Sequence, residues 1–167
     1  MKRMLVLYYS WSNGNTKGIA ERLAKAASAE IERIETEVPY PEDYNTTVDQ
    51  GQKEVEAGYC PKIKQLNHQP EDYDVIAVGT PTWWYTMAPA VKTMFSQHDW
   101  NGKTVIPFFT NGGWPGHVIK DMEKAAKGAD FEKEMEIRFD SEGGSRMITK
   151  DTEVQKWIDS IAEELKK

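Results

Sequence analysis

The chain carries a single cysteine, Cys60, so it can close no internal disulfide. One thiol without an arranged partner marks neither a metal site nor a nucleophile, and it reads as an incidental group in a reducing cytoplasm. Long apolar runs are missing as well. Nothing approaches the roughly 20 residues needed to span a bilayer, so no membrane insertion is expected. Basic clusters are equally scarce: Lys2 and Arg3 form one small pair in a chain of net charge -6. That is too little to track a phosphate backbone, which excludes nucleic acid as a partner. His68, His98 and His117 show no metal-ligand spacing and read as surface or cap residues, so no metal site is expected. The short apolar stretch after Lys2 and Arg3, Met4 to Tyr9, is too brief for the core of a secretory signal and reads as a first strand.

What remains is a chain of 167 residues, 29% charged and 39% hydrophobic, which is the size and composition of one globular domain spanning residues 1–167. "MLVLYY" is continuously apolar, as in a strand covered on both faces. Ile19, Ala20, Leu23, Ala24 and Ala27 then follow helical spacing, with Thr16 as a candidate N-cap. Residues 29–38 read as a strand near an edge. A long crossover opens with Pro39 and Pro41, carries a short helical piece from Thr47 to Ala57, and closes at Gly58 and Pro61. "YDVIAVG" at 73–79 is the clearest buried strand and precedes a helix over 87–97. "KTVIPFF" at 103–109 is another strand, with Pro107 predicting a bulge or a break in its ladder. A helix over 117–127, a last strand within 131–140 and an amphipathic helix starting at Asp151 as a candidate cap complete the pattern. Strands alternating with helices predict a parallel sheet wrapped on both faces.

In open sheets of this kind, ligands sit beyond the carboxyl ends of the strands. Three loops occupy those places. The first, "SWSNGNT", offers Ser10, Ser12, Asn13, Asn15 and Thr16 beside the N–H groups of a helix start, which suits an anion such as phosphate; helix capping explains some of the same residues. GxxxxGK[ST] and GxGxxG are both absent, so neither a nucleoside triphosphate loop nor a dinucleotide fingerprint is present. The second, "TPTWWYTMAP", places Trp83, Trp84 and Tyr85 in succession. Three adjacent rings cannot all enter one core, and they suit stacking on a flat aromatic ligand or a partner-binding patch. The third, "TNGGWPG", has adjacent glycines that let backbone approach a ligand closely, with Trp114 beside them. Together the loops describe a site for a mononucleotide with a large planar ring. Asp140, Glu142 and the glycines after them form an acidic loop that either lies near the ligand or is a plain solvent-facing turn, and the turn is the expected case.

At these residues the sequence resembles the flavodoxin-like family, in particular its short-chain branch. The resemblance runs through "LVLYYSWSNGNTKGIAERLA", the Pro-Tyr-Pro crossover, "YDVIAVGTPTWWYTMAPAVKTMF", "GKTVIPFFTNGGWPG" and "TEVQKWI". It implies an α/β fold, a three-layer α/β/α sandwich on a five-stranded parallel sheet in order 2-1-3-4-5, with non-covalent FMN at the switch point. Carried across, Ser10, Ser12, Asn13, Gly14, Asn15 and Thr16 hold the FMN phosphate. Pro81, Thr82, Trp83, Trp84 and Tyr85 flank the isoalloxazine, with Trp84 or Tyr85 in contact and Trp83 supporting; Thr110, Asn111, Gly112 and Gly113 meet its other edge. Flavodoxins usually read [ST]-x-[ST]-G-x-T in the first loop. Here Asn13 stands between Ser12 and Gly14, so either the loop is one residue longer or Trp11 and Asn13 replace two hydroxyls.

The implied function is an FMN-binding flavodoxin-type protein carrying electrons between redox partners, with the chemistry on the flavin and no catalytic side chain. Stacked aromatics and the net charge of -6 disfavour an anionic reduced flavin and lower its potential. Its partners are redox proteins or a small quinone-type acceptor, and the acidic surface suits a basic protein. Two other readings stay open: an NAD(P)H-dependent quinone or FMN reductase of the same fold, for which no residue marks a nicotinamide site, and a flavin-free interaction module built on Trp83, Trp84 and Trp114.

Overall fold

The computed structural model describes residues 2–11, 14–142 and 144–167. Strand β1 (Met4–Tyr8) is buried at every position because helices cover both faces of the sheet. Side chains alternate across a strand, so Leu5 and Leu7 enter one layer while Met4, Val6 and Tyr8 enter the other. Each fully buried aliphatic side chain here contributes roughly 2 kcal/mol of transfer free energy.

β1 lies between β2 (Glu30–Arg33), a short and half-exposed edge, and β3 (Val75–Trp83), parallel to both. β3 pairs in turn with β5 (Thr104–Asn111). The fifth position is shared by two short strands, β6 (Asp130–Phe131) and β7 (Met135–Arg138), which pair in succession with β5. The parallel order 2-1-3-4-5 expected from the sequence is therefore present, with its last strand split. Pro107 explains where the split falls. β5 itself runs unbroken through Pro107, which is in register with Val78. Lys103 and Val105 turn their carbonyls to the fifth strand, accepting from Asp130 and Glu132, so the same alternation aims the missing N–H of Pro107 at that side. The break expected in this strand lies in its neighbour instead.

Helices α1 (Asn15–Ala27) and α5 (Asp151–Lys166) cover one face, through Ile19, Leu23, Trp157, Ile158 and Ile161. The other face is covered by α3 (Pro89–Ser96) and α4 (Val118–Ala125), through Val91, Met94, Val118 and Met122, and α2 (Tyr44–Ala57) leans on α3 and β3. No helix among the described residues is long and apolar enough to cross a membrane.

Three helix starts differ from expectation. Gly14, in left-handed backbone, occupies the N-cap of α1. Thr16 lies inside the first turn with its hydroxyl turned inward. α2 begins at Tyr44 rather than Thr47, because Asp43 Oδ2 accepts the Thr46 N–H at 2.8 Å and caps the helix three residues earlier. In α5 Lys150 is the cap residue, while Asp151 stands in the first turn and binds Arg22 at 2.9 Å. The largest departure is in "TPTWWYTM". β3 continues through Pro81, Thr82 and Trp83 and folds back antiparallel as β4 (Thr86–Met87), so the expected loop is a hairpin.

Candidate functional site

The segments that follow β1, β3 and β5 surround one cleft of about 300 Å³ at the carboxyl ends of the strands. Its first wall is the start of α1. Thr16 is 2% exposed, and its hydroxyl shares a 2.8 Å hydrogen bond with the Thr110 hydroxyl at the end of β5. Ser10 Oγ accepts the Lys17 N–H at 3.3 Å, and Asn15 Nδ2 donates to the Gly144 carbonyl at 3.1 Å. The N–H groups of a first helical turn have no intrahelical acceptors, so this wall presents donors and the positive end of the α1 dipole.

The second wall is the β3–β4 hairpin. Trp83 pairs with Thr86, leaving Trp84 and Tyr85 as a two-residue turn with φ of 49° and 69°. Positive φ at both positions is the type I′ pattern, normally filled by Asn-Gly. For two aromatic residues it costs about 1–2 kcal/mol each. The Trp84 indole N–H offsets part of this by donating to the Val48 carbonyl of α2 at 2.9 Å. Gly116 admits the rest: the Tyr85 carbonyl lies so near that a Cβ on Gly116 would sit 2.2 Å from its oxygen.

Behind the hairpin, Trp83 is gripped edge-to-face by Tyr40 (centroids 5.0 Å apart, 76°), Tyr9 (5.7 Å, 86°) and Trp11 (6.4 Å, 90°). Gly51, in the middle of α2, makes room for it; a Cβ there would meet Trp83 Cε3 at 3.2 Å. Tyr40 Oη donates to the buried Glu54 carboxylate at 2.6 Å, and Gln50 Nε2 donates to its other oxygen at 2.7 Å. Burial pushes the Tyr9 phenol far above its ordinary range. It does the same to Tyr40, where the hydrogen bond to Glu54 adds to the effect. Both rings stay neutral across the ordinary pH range.

The remaining walls come from the third loop and from Phe139, Asp140, Ser141 and Gly144. Asn111 Oδ1 accepts the Gly113 N–H at 2.7 Å and its Nδ2 binds Glu136 at 2.9 Å, so this side chain shapes the turn. Asp140 does the same in its own loop, taking the N–H groups of Glu142 and Gly144 at 2.9 and 3.1 Å. Ser141 and Glu142 are exposed, as a solvent-facing turn requires, but Asp140, Ser141 and Gly144 line the cleft, so the acidic loop lies beside the site rather than apart from it.

A profile of the family described as Flavodoxin matches residues 3–161. The chain belongs to the flavodoxin family. It is similar to a flavoprotein from Lactobacillus acidophilus NCFM solved in complex with FMN, at 26% identity and a TM-score of 0.71 over 94% of this chain and 99% of that one. It is also similar to a candidate flavoprotein from Bacteroides eggerthii DSM 20697, at 27% identity and a TM-score of 0.76 over 97% and 99% of the two chains. An archaeal flavodoxin, 16% identical over 98% and 99% with a TM-score of 0.55, shares the fold. No curated protein sequence matches the chain.

Of the residues that the flavodoxin pattern singles out, the structure gathers Asn15, Thr16, Pro81, Thr82, Trp83, Trp84, Thr110, Asn111 and Gly112 around the cleft. Ser12 and Asn13 lie outside the described residues. Ser10 and Gly14 line an adjoining hollow with Lys17 and Arg33, and Gly113 lines another with Arg138. Tyr85 stands at the hairpin turn, 54% exposed, and is not a wall residue. The sequence reading missed the contribution of α2, where Tyr44, Thr47, Val48 and Gly51 close one side. A glycine in a helix interior was the available signal, since it weakens the helix by about 1 kcal/mol unless something packs there. Trp11 and Trp114 also belong to the walls. Each histidine faces a carboxylate: His68 meets Glu32 at 2.7 Å, His98 meets Glu71 at 3.0 Å and His117 meets Asp121 at 2.5 Å.

Proposed function

We propose that this chain binds FMN non-covalently in the cleft and carries electrons between redox partners. The observation that carries the reading is the set of indoles, Trp11, Trp83, Trp84 and Trp114, gathered at the carboxyl ends of the central strands beside a buried pair of hydroxyls. The walls fit a planar group with a polar edge. Thr82 Oγ1 is buried with no hydrogen-bond partner among the described residues. Gly112 leaves backbone bare where a Cβ would press on Ser141 and Trp114 at 3.2 and 3.3 Å. Unpaired polar atoms and bare backbone suit the edge of such a ring, and indoles suit its faces, at about 1 kcal/mol per well-set aromatic pair beyond burial.

Bound FMN supplies reversible redox chemistry in one- or two-electron steps. In this reading the first loop and the start of α1, Ser10, Ser12, Asn13, Gly14, Asn15 and Thr16, hold the phosphate through N–H groups and hydroxyls. Lys17 and Arg33 add positive charge nearby, opposed by Glu21 and Glu42 in the same hollow. Trp83 and Trp84 flank the ring, and Thr110, Asn111 and Gly112 meet its far edge. Asp140 is the one charged side chain on the cleft wall among the described residues, which disfavours added negative charge there. The lone exposed thiol of Cys60 suits a reducing compartment, and the cytoplasm is the proposed location. Redox proteins or a small quinone-type acceptor are the proposed partners.

Titration of the purified chain with FMN tests the reading. Quenching of flavin fluorescence that saturates at one equivalent is expected, and the absence of any uptake overturns it. A redox titration of the loaded protein then separates electron carriage from reductase activity. Two resolved one-electron steps support the carrier, whereas a single two-electron step with direct oxidation of NADH or NADPH assigns the chain to the reductases.

A further inference from the structure

The Trp84–Tyr85 turn is held partly from the cleft wall and partly from outside it. Its left-handed backbone is rare for large side chains, so the turn persists only where surrounding contacts over-determine it. Three contacts do so. Trp84 Nε1–H donates to the Val48 carbonyl at 2.9 Å. The backbone N–H of His117, at the start of α4, donates to the Tyr85 carbonyl at 2.7 Å. Thr86, the first residue after the turn, donates its hydroxyl to Asp121 Oδ2 on α4, and the same oxygen receives His117 Nδ1–H at 2.5 Å. Asp121 thus joins the residue that follows the turn to the residue that holds the turn's carbonyl. A carboxylate does this because it is acceptor-only and has enough lone pairs for donors from two segments. It also lies in the first turn of α4, where negative charge is favoured by the helix dipole, and its side chain is 26% exposed, so solvent screens the contact only in part.

Trp84 lines the cleft, whereas Thr86, His117 and Asp121 do not. We propose that Asp121 is a positioning residue: by fixing Thr86 and His117 it fixes the turn, and through the turn it sets the Trp84 indole as a wall of the cleft. Loss of the carboxylate releases the strained turn toward ordinary backbone and withdraws the indole from Val48. The consequence for a ligand stacked on Trp84 rests on the flavin reading; the consequence for the indole does not.

The test uses the full chain without flavin, comparing Asp121→Ala, Asp121→Asn and Thr86→Val with the parent by hydrogen exchange of tryptophan indole N–H groups in NMR spectra. Trp84→Phe assigns the signal. The Trp100 indole, which donates to the Phe95 carbonyl at 2.9 Å in the core, serves as the internal control. Exchange at Trp84 is expected to rise about five- to tenfold in Asp121→Ala and Thr86→Val, and less in Asp121→Asn, which keeps an acceptor, while Trp100 is unchanged. Thr86→Val conserves shape and keeps the test open if Asp121→Ala fails to fold. Unchanged exchange at Trp84, or equal acceleration at Trp84 and Trp100, overturns the proposal. FMN titrations of the same variants should show weaker uptake and shifted visible bands relative to the parent. If the parent takes up no FMN, the flavin reading falls, and the indole comparison alone decides the role of Asp121.

Discussion

The hydroxyls of Thr16 and Thr110, 94 positions apart in the chain, share a buried hydrogen bond of 2.8 Å. It ties the start of α1 to the end of β5, and with them the donor-rich wall of the cleft to its glycine-rich wall. Both hydroxyls are nearly sealed from water, so among the described residues each is the other's side-chain partner.

Thr110→Val should therefore cost about 1–3 kcal/mol, the penalty of leaving the Thr16 hydroxyl buried and unpaired. The double variant Thr16→Val/Thr110→Val should cost less than the sum of the single ones, because it leaves no orphan. Urea denaturation of the four proteins measures this, and strict additivity would show that the two hydroxyls do not depend on each other.

Gly51→Ala brings opposing terms. Helix propensity gains about 1 kcal/mol, but the new Cβ lies 3.2 Å from Trp83 Cε3, and that ring is hemmed in by Tyr9, Trp11 and Tyr40. Stability should change by no more than about 1 kcal/mol, while the near-ultraviolet circular dichroism of Trp83 shifts and FMN uptake weakens. An unaltered aromatic spectrum would mean that the ring has room to move.

Gly116→Ala meets backbone rather than a movable side chain. Its φ is 60°, and the added Cβ would fall 2.2 Å from the Tyr85 carbonyl oxygen. The hairpin or the start of α4 must shift, with an expected loss of at least ~2 kcal/mol. Thermal unfolding checks this; a loss below about 0.5 kcal/mol, the range of ordinary surface substitutions, would contradict the close approach.

Alkaline stability should depend on Tyr9. Burial raises its folded-state pKa well above the value near 10 of an unfolded tyrosine. The proton is thus retained in the native state after the unfolded state has lost it. The stabilisation is fully present below pH 10 and is lost as pH rises toward the folded-state value, at a slope of about 1.4 kcal/mol per pH unit for one such group. Tyr9→Phe should have a shallower decline above pH 10 in denaturation series, and identical slopes for the two proteins would assign the loss to other groups.

The parts of the fold that could be read from the chain are those where one element carries its own signal. β1 and the first part of β3 are buried on both faces, and continuous apolar runs result. α5 shows its single apolar face in Val154, Trp157, Ile158, Ile161 and Leu165. The hairpin at Trp84 and Tyr85 was not legible, because it breaks the turn chemistry on which such a reading depends and is upheld by Val48, Gly116 and His117 from other elements. The split of the last strand was half legible. Pro107 announced a missing donor, but only strand pairing shows that the gap opens in the neighbour.

The sequence by itself determined the alternation of strand and helix, the membership in a doubly wound parallel fold, and the three segments that meet beyond the strand ends, since hydrophobic period and turn residues are local properties. Tertiary structure alone decided which of those residues face one another. Thr16 finds Thr110, Gly51 admits Trp83, and Tyr85 is turned out of the cleft while Trp84 stays in it. The physical reason is that these outcomes depend on contacts across tens of residues, where packing against a distant backbone outweighs the roughly 1–2 kcal/mol that local preference assigns to a left-handed aromatic residue.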